Sequence, residues 1–204
     1  TKDRETARAV AARLVRKSPQ PGIEFVKAQG VLKEAPELFA GLGLEVFAKT
    51  RDQKVLKAVL ADSAAARTAA GQSLGREPLL SELLPLHERV SRGQIDSSNQ
   101  VSMGKTIKAR VKGIQDLEAF VARTVGGGDW LIQYSALTAL KLEISRFYND
   151  LIALPVPQGL SPEEEGQYLQ LLSAQAAPYQ VKAMDIQSKL KEMNNAGALA
   201  QLLK

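Results

Sequence analysis

Apolar residues along this chain recur at intervals of three and four, the spacing that gathers them on one side of an α-helix. From about Lys2 to Lys17, Ala7, Val10, Ala11, Leu14 and Val15 form one stripe, with Arg4, Glu5 and Arg13 off it. Ser18-Pro19-Gln20-Pro21-Gly22 ends that helix, because proline cannot continue the hydrogen-bond ladder and biases the residue before it away from helical geometry. Shorter helices are predicted from about Ile23 to Glu34 and from Pro36 to Lys49, the second opening on a proline where a first turn tolerates it. Asp52 can cap a helix reaching Gln72, in which Val55, Leu56, Val59 and Leu60 are followed by Ala64, Ala65, Ala66, Ala69 and Ala70. That small-residue patch would let another helix approach closely. Pro78 and Pro85 read as dividing Leu74–Gly93 into short helical turns, and the Ser, Asn, Gln and Gly of 93–104 as a flexible loop.

The second half is more regular. A helix from Ser102 or Lys105 to Val125 places Ile107, Val111, Ile114, Leu117, Val121 and Val125 on one stripe, and Gly126-Gly127-Gly128 ends it. Asp129 is an N-cap for a helix carrying Trp130, Tyr134, Leu137, Leu140, Ile144, Phe147, Leu151 and Leu154, which Pro155-Val156-Pro157 stops. Ser161-Pro162-Glu163-Glu164-Glu165 then combines a capping Ser, a first-turn Pro and carboxylates at the positive end of the helix dipole. Its stripe, Tyr168 through Leu171, Leu172, Gln175, Tyr179, Ala183, Ile186, Leu190 and Met193, runs straight through Pro178. A continuous helix would forfeit the bond to the Ala174 carbonyl there and kink; otherwise two helices meet at that point.

Strand-favouring residues never form a sustained alternation, so the fold is predicted all-α, with roughly eight or nine helices packed as antiparallel pairs. Either an α-solenoid of tetratricopeptide-like kind or an irregular helical bundle would accommodate them. A repeat of about 34 residues is not found in register, so a solenoid rests on helix spacing alone. The expected organisation is a short-helix region over 1–92, a flexible loop over 93–104 and a long-helix region over 105–204, forming one continuous array.

Composition narrows the chemistry. Of the 204 residues 45% are apolar and 24% charged, enough to bury a core and too apolar for global disorder. The absence of Cys excludes disulfides, thiolate metal sites and cysteine nucleophiles. No apolar run reaches the ~20 residues that span a bilayer, and no secretory leader opens the chain. The start at Thr1, without Met, reads as a trimmed or mature fragment. A net charge of +5 admits an acidic partner surface.

Each candidate for chemistry has a plainer explanation. Gly104-Lys105-Thr106 resembles the end of a phosphate-binding loop, but Asn99 stands where that loop needs its first glycine and no strand precedes it. Gly126-Gly127-Gly128 could approach a phosphate at a helix start, where Asp129 would repel it. His87 is the only histidine, so a catalytic triad or zinc site would have to be built around it, and its neighbours Glu88 and Arg89 suggest surface. Glu163, Glu164 and Glu165 are accounted for by capping. Lys105, Lys108 and Lys112 lie within about 60° of one another around a helix and form a basic stripe, with Arg110 off it. That stripe lacks interleaved aromatics, so nucleic acid is not expected; it reads as a solvated face, or else as a docking patch for an acidic protein or a membrane surface. Trp130 and Tyr134 belong to the core, or in an open array would line a partner groove. No catalytic residue, cofactor, metal ligand or small-molecule substrate is expected, and the chain does not read as an enzyme.

Residues 129–193 resemble a segment of long tetratricopeptide-repeat proteins of delta-proteobacteria, the gliding and predatory group. The likeness is carried by Gly128-Asp129-Trp130, Leu154-Pro155-Val156-Pro157, Gly159-Leu160-Ser161-Pro162-Glu163-Glu164, Tyr168, Gln175-Ala176-Ala177-Pro178-Tyr179 and Lys182-Ala183. It implies a scaffold or adaptor of the cell envelope, periplasmic or associated with the outer membrane, whose partners are other proteins, including motility or predation machinery. The expected function is therefore non-catalytic protein binding; the alternative is a helical protein that meets a membrane or polyanion through its basic helix face.

Overall fold

A computed structural model describes residues 2–18, 35–125 and 129–195. The described residues form eight helices and no strand: α1 Lys2–Lys17, α2 Pro36–Thr50, α3 Gln53–Leu60, α4 Ser63–Ala66, α5 Ala69–Ser91, α6 Gln100–Val125, α7 Trp130–Ile152 and α8 Pro162–Asn195. The protein is all-α, as the helical spacing predicts. The helix expected over 23–34 and the Gly126–Gly128 turn lie outside the described residues.

The chain divides into two units, Thr1–Leu79 and Leu80–Lys204, with the boundary inside α5. The expected helix from Asp52 to Gln72 is broken twice. Asp52 caps α3 by accepting from Lys54 N–H, and Asp62 caps α4 by accepting from Ala64 and Ala65 N–H, so each polar cap restarts the ladder. Conversely, Pro78 and Pro85 do not divide the chain: α5 runs unbroken through both.

In the first unit, Phe39, Leu42, Val46 and Phe47 of α2 pack with Val55, Leu56 and Val59 of α3, Ala65 of α4 and Leu74 of α5. Of the alanine patch only Ala65 is buried, while Ala64 and Ala69 are exposed, and the tight approaches are made at glycines. A Cβ on Gly71 would overlap the carbonyl oxygen of Ala65, and one on Gly43 would overlap Cγ2 of Val59.

In the second unit, the latter part of α5 meets α6 and α7, and α7 packs against both α6 and α8. Antiparallel neighbours are fixed by cross-helix pairs: Arg123–Glu82 and Arg89–Asp116 between α6 and α5, Gln133 to the Thr124 carbonyl between α7 and α6, and Phe147–Tyr179 and Tyr134–Asn194 between α7 and α8. The buried face of α6 carries Ile114, Leu117, Phe120 and Val121; that of α7 carries Ile132, Ala136, Leu140, Ile144, Phe147 and Leu151. Helix α8 is continuous through Pro178, and its buried residues, Ala176, Ala183, Ile186 and Leu190, all fall from Ala176 onward.

Candidate functional site

Three of the second unit's apolar stripes each carry an ionisable residue. His87 sits between Leu83 and Val90 on α5, Arg110 four residues before Ile114 on α6, and Glu143 between Leu140 and Phe147 on α7. Antiparallel packing brings the three together. Glu143 is fully buried and Arg110 is 3% exposed. Oε1 of Glu143 lies 3.1 Å from Nε2 of His87 and 3.4 Å from Nη1 of Arg146, and its Oε2 lies 3.8 Å from Nη2 of Arg110. Asp150 adds a second carboxylate 3.5 Å from Arg110 Nη2. Nη1 of Arg110 donates to the carbonyl of Val90, which also accepts from Gly93 N–H, and to that of Gly93 just beyond α5, so the guanidinium of α6 holds the end of α5. Its Cζ stands 5.9 Å from the ring centre of Phe147.

The cluster ties three helices together. A carboxylate taken out of water costs several kcal/mol, recovered only if its partners stay in place, and those partners, His87, Arg110 and Arg146, come from α5, α6 and α7. Among the described residues no group of three or more His, Asp or Glu could hold a metal ion. No described helix is long and apolar enough to cross a membrane.

The surface feature of this unit is a groove between α6 and α8. Its floor is Phe147, Leu151 and Leu154; its walls are Met103 and Ile107 on one side and Tyr168, Leu171, Leu172 and Tyr179 on the other, enclosing about 390 Å³. Met103, Tyr168 and Leu171 continue into a wider opening of about 950 Å³ bounded by Ser97–Gln100, the 155–160 connection and the first turns of α8. This opening exists because α8 starts well beyond the body of the unit. From Pro162 to Gln175 α8 buries no residue fully, and Leu171 remains 62% exposed. The start of α8 is held by a reciprocal cap. Ser161 N–H and Oγ–H both donate to Glu164 Oε2 at 2.8 Å, while Glu164 N–H donates to Ser161 Oγ. The Ser161 bonds hold the Glu164 carboxyl below the usual carboxylate range. Tyr168 donates its hydroxyl to the Pro155 carbonyl at 3.3 Å, tying α8 to the connection before it.

The sequence-derived candidates fall at several places. Gly104, Lys105 and Thr106 lie within α6, and Thr106 Oγ1 bonds the carbonyls of Ser102 and Met103, so no phosphate loop forms. Lys105, Lys108 and Lys112 are exposed, but Lys112 is bound to Asp116 at 2.8 Å, and with Arg89 it holds the Asp116 carboxyl below its ordinary range. The stripe is reduced to Lys105 and Lys108. Trp130 and Tyr134 stack at 5.1 Å and are half-buried, away from the groove. His87, expected at the surface, is instead drawn against a buried carboxylate. Sequence reasoning missed this cluster although its signal was present: His87, Arg110 and Glu143 each stand at a three- or four-residue step from apolar positions.

Compared with protein-family models, curated proteins and solved structures, the chain matches none.

Proposed function

We propose that this protein is a non-catalytic helical scaffold whose second unit binds an apolar segment of a protein partner in the α6–α8 groove. One observation carries the reading: α8 projects two helical turns and more over the groove with Tyr168, Leu171 and Leu172 only partly covered, facing a floor of buried Phe147, Leu151 and Leu154. The groove's residues are apolar or neutral amides and hydroxyls, with Glu164 the only charge at its rim, already engaged by Ser161. Such a lining suits an amphipathic helix that inserts apolar anchors at helical spacing and leaves its polar face outside. Charged or phosphorylated segments would find no counter-charge there.

Selection of a phage-displayed peptide library against the protein tests this. Sequences with apolar anchors three and four residues apart should be enriched, and should lose binding to Leu171→Asp, an exposed change that leaves the core intact. Enriched peptides that bind Leu171→Asp unchanged would overturn the assignment. A cell-envelope setting, periplasmic or at the outer membrane, belongs to the same proposal and is supported by the resemblance of residues 129–193. Fractionation of cells expressing the full-length gene, with the protein recovered in the cytosol, would remove it.

A further inference from the structure

The seam between α7 and α8 opens into a second groove of about 400 Å³ whose lining differs in kind from the first. Lys141 and Lys191 line it together with Tyr148, Met184 and uncharged amides and hydroxyls, and no carboxylate does. Neither lysine takes part in an ion pair among the described residues, whereas Arg110, Lys112, Arg146 and Lys182 of the same unit are all engaged by acids. The register of the two helices orders the lining. With Tyr134 beside Asn194 and Phe147 beside Tyr179, Lys141 and Lys191 lie toward one end and Asn149 and Gln180 at the other. Met184 falls between, 64% exposed although it is apolar, and Tyr148 stands with Asn149 and Gln180 at the far end.

We propose that this seam binds an organic anion, its carboxylate, sulfonate or phosphate head held by Lys141 and Lys191 and its flat or apolar body laid against Tyr148 and Met184. Two uncompensated ammonium groups beside a partly apolar wall favour a charge and an apolar body on one molecule over either alone. Sulfur and aromatic surfaces are suited to flat, polarisable ligands. The site is independent of the α6–α8 groove. The same head chemistry occurs on a free metabolite and on a lipid, and the experiment separates them.

Binding of anilinonaphthalene sulfonate is compared with that of the uncharged N-phenylnaphthylamine on the full chain, for wild type and for Lys141→Gln/Lys191→Gln. Far-UV circular dichroism verifies that the variant is folded, as expected for substitutions at the rim of a helix seam. The double variant should lose about tenfold in affinity for the sulfonate and little for the neutral probe, and added salt should weaken only the former. Leu171→Asp serves as the control for probe bound in the other groove and should leave the lysine-dependent component intact. Sedimentation with phosphatidylglycerol vesicles then assigns the source: lysine-dependent co-sedimentation identifies a lipid headgroup, and its absence identifies a free anion. Equal affinity of wild type and double variant for the sulfonate, or parallel loss of both probes, would overturn the proposal.

Discussion

Replacing Glu143 by Gln removes one charge from the centre of the second unit without changing its volume, and the consequence follows from its neighbours. Arg110, 3% exposed, would keep Asp150 at 3.5 Å but lose the buried carboxylate at 3.8 Å, and Glu143 itself would present an amide toward His87 and Arg146. Breaking a fully buried pair from one side typically costs about 3–5 kcal/mol because the surviving charge is stranded. Two features lower that here. Asp150 remains as a partner for Arg110, and Arg146 is exposed enough to turn into water, so a loss of about 2–4 kcal/mol is expected, or about 10 °C in Tm. Arg110→Met should cost at least as much, since it also removes the donor to the Gly93 carbonyl and one of two to that of Val90. Replacing both, as Arg110→Met/Glu143→Leu, strands neither charge and should be less destabilising than the sum of the singles by well over ~0.5 kcal/mol. Urea titration followed by fluorescence isolates the effect, because Trp130 is the only tryptophan and lies in the second unit. The penalty should persist at high salt, which screens exposed charges far more than buried ones. A Glu143→Gln protein within ~0.5 kcal/mol of wild type, or strictly additive double variants, would refute the stranded-charge reasoning.

Three further outcomes are expected. Gly71→Ala should destabilise the first unit by about 1–3 kcal/mol, opposite in sign to helix propensity, because the new Cβ meets the Ala65 carbonyl; a rise in the thermal midpoint by circular dichroism would contradict the close approach. The lowered Glu164 carboxyl contributes stability at pH values above the ordinary carboxylate range, and that contribution is lost as pH falls through its folded value. Glu164→Gln should therefore lie below wild type at neutral pH and converge on it in acid; a constant gap in Tm across the range would count against the cap. Pro178→Ala, at an exposed position, restores an N–H facing the Ala174 carbonyl and should stabilise α8 by about 1 kcal/mol or more; a fall in Tm would mean the proline ring is needed for packing.

Helix type, and most helix ends, were legible in the chain because they depend on local chemistry. The first helix, the start of α2 at Pro36, the Asp129 cap and the Ser161–Glu164 capping box follow from residues within one turn of each other. Where reading from sequence went astray, local signals competed with one another. Pro78 and Pro85 predict interruptions that α5 does not show, and Asp62, an ordinary cap residue, ends a run that alanines alone would continue.

The candidate sites depended on distance between helices, which no single stripe encodes. His87, Arg110 and Glu143 are 23 and 33 residues apart along the chain, and only antiparallel packing of α5, α6 and α7 makes them one cluster. The α6–α8 groove likewise required α8 to continue past Pro178 and extend beyond the core that buries its second half. Sequence alone determined an all-α chain and the caps of its helices, since backbone hydrogen bonding and side-chain periodicity are local. Tertiary structure decided which faces are buried, which charges are paired and which surfaces are left open, since burial and electrostatics depend on neighbours that the sequence places far away.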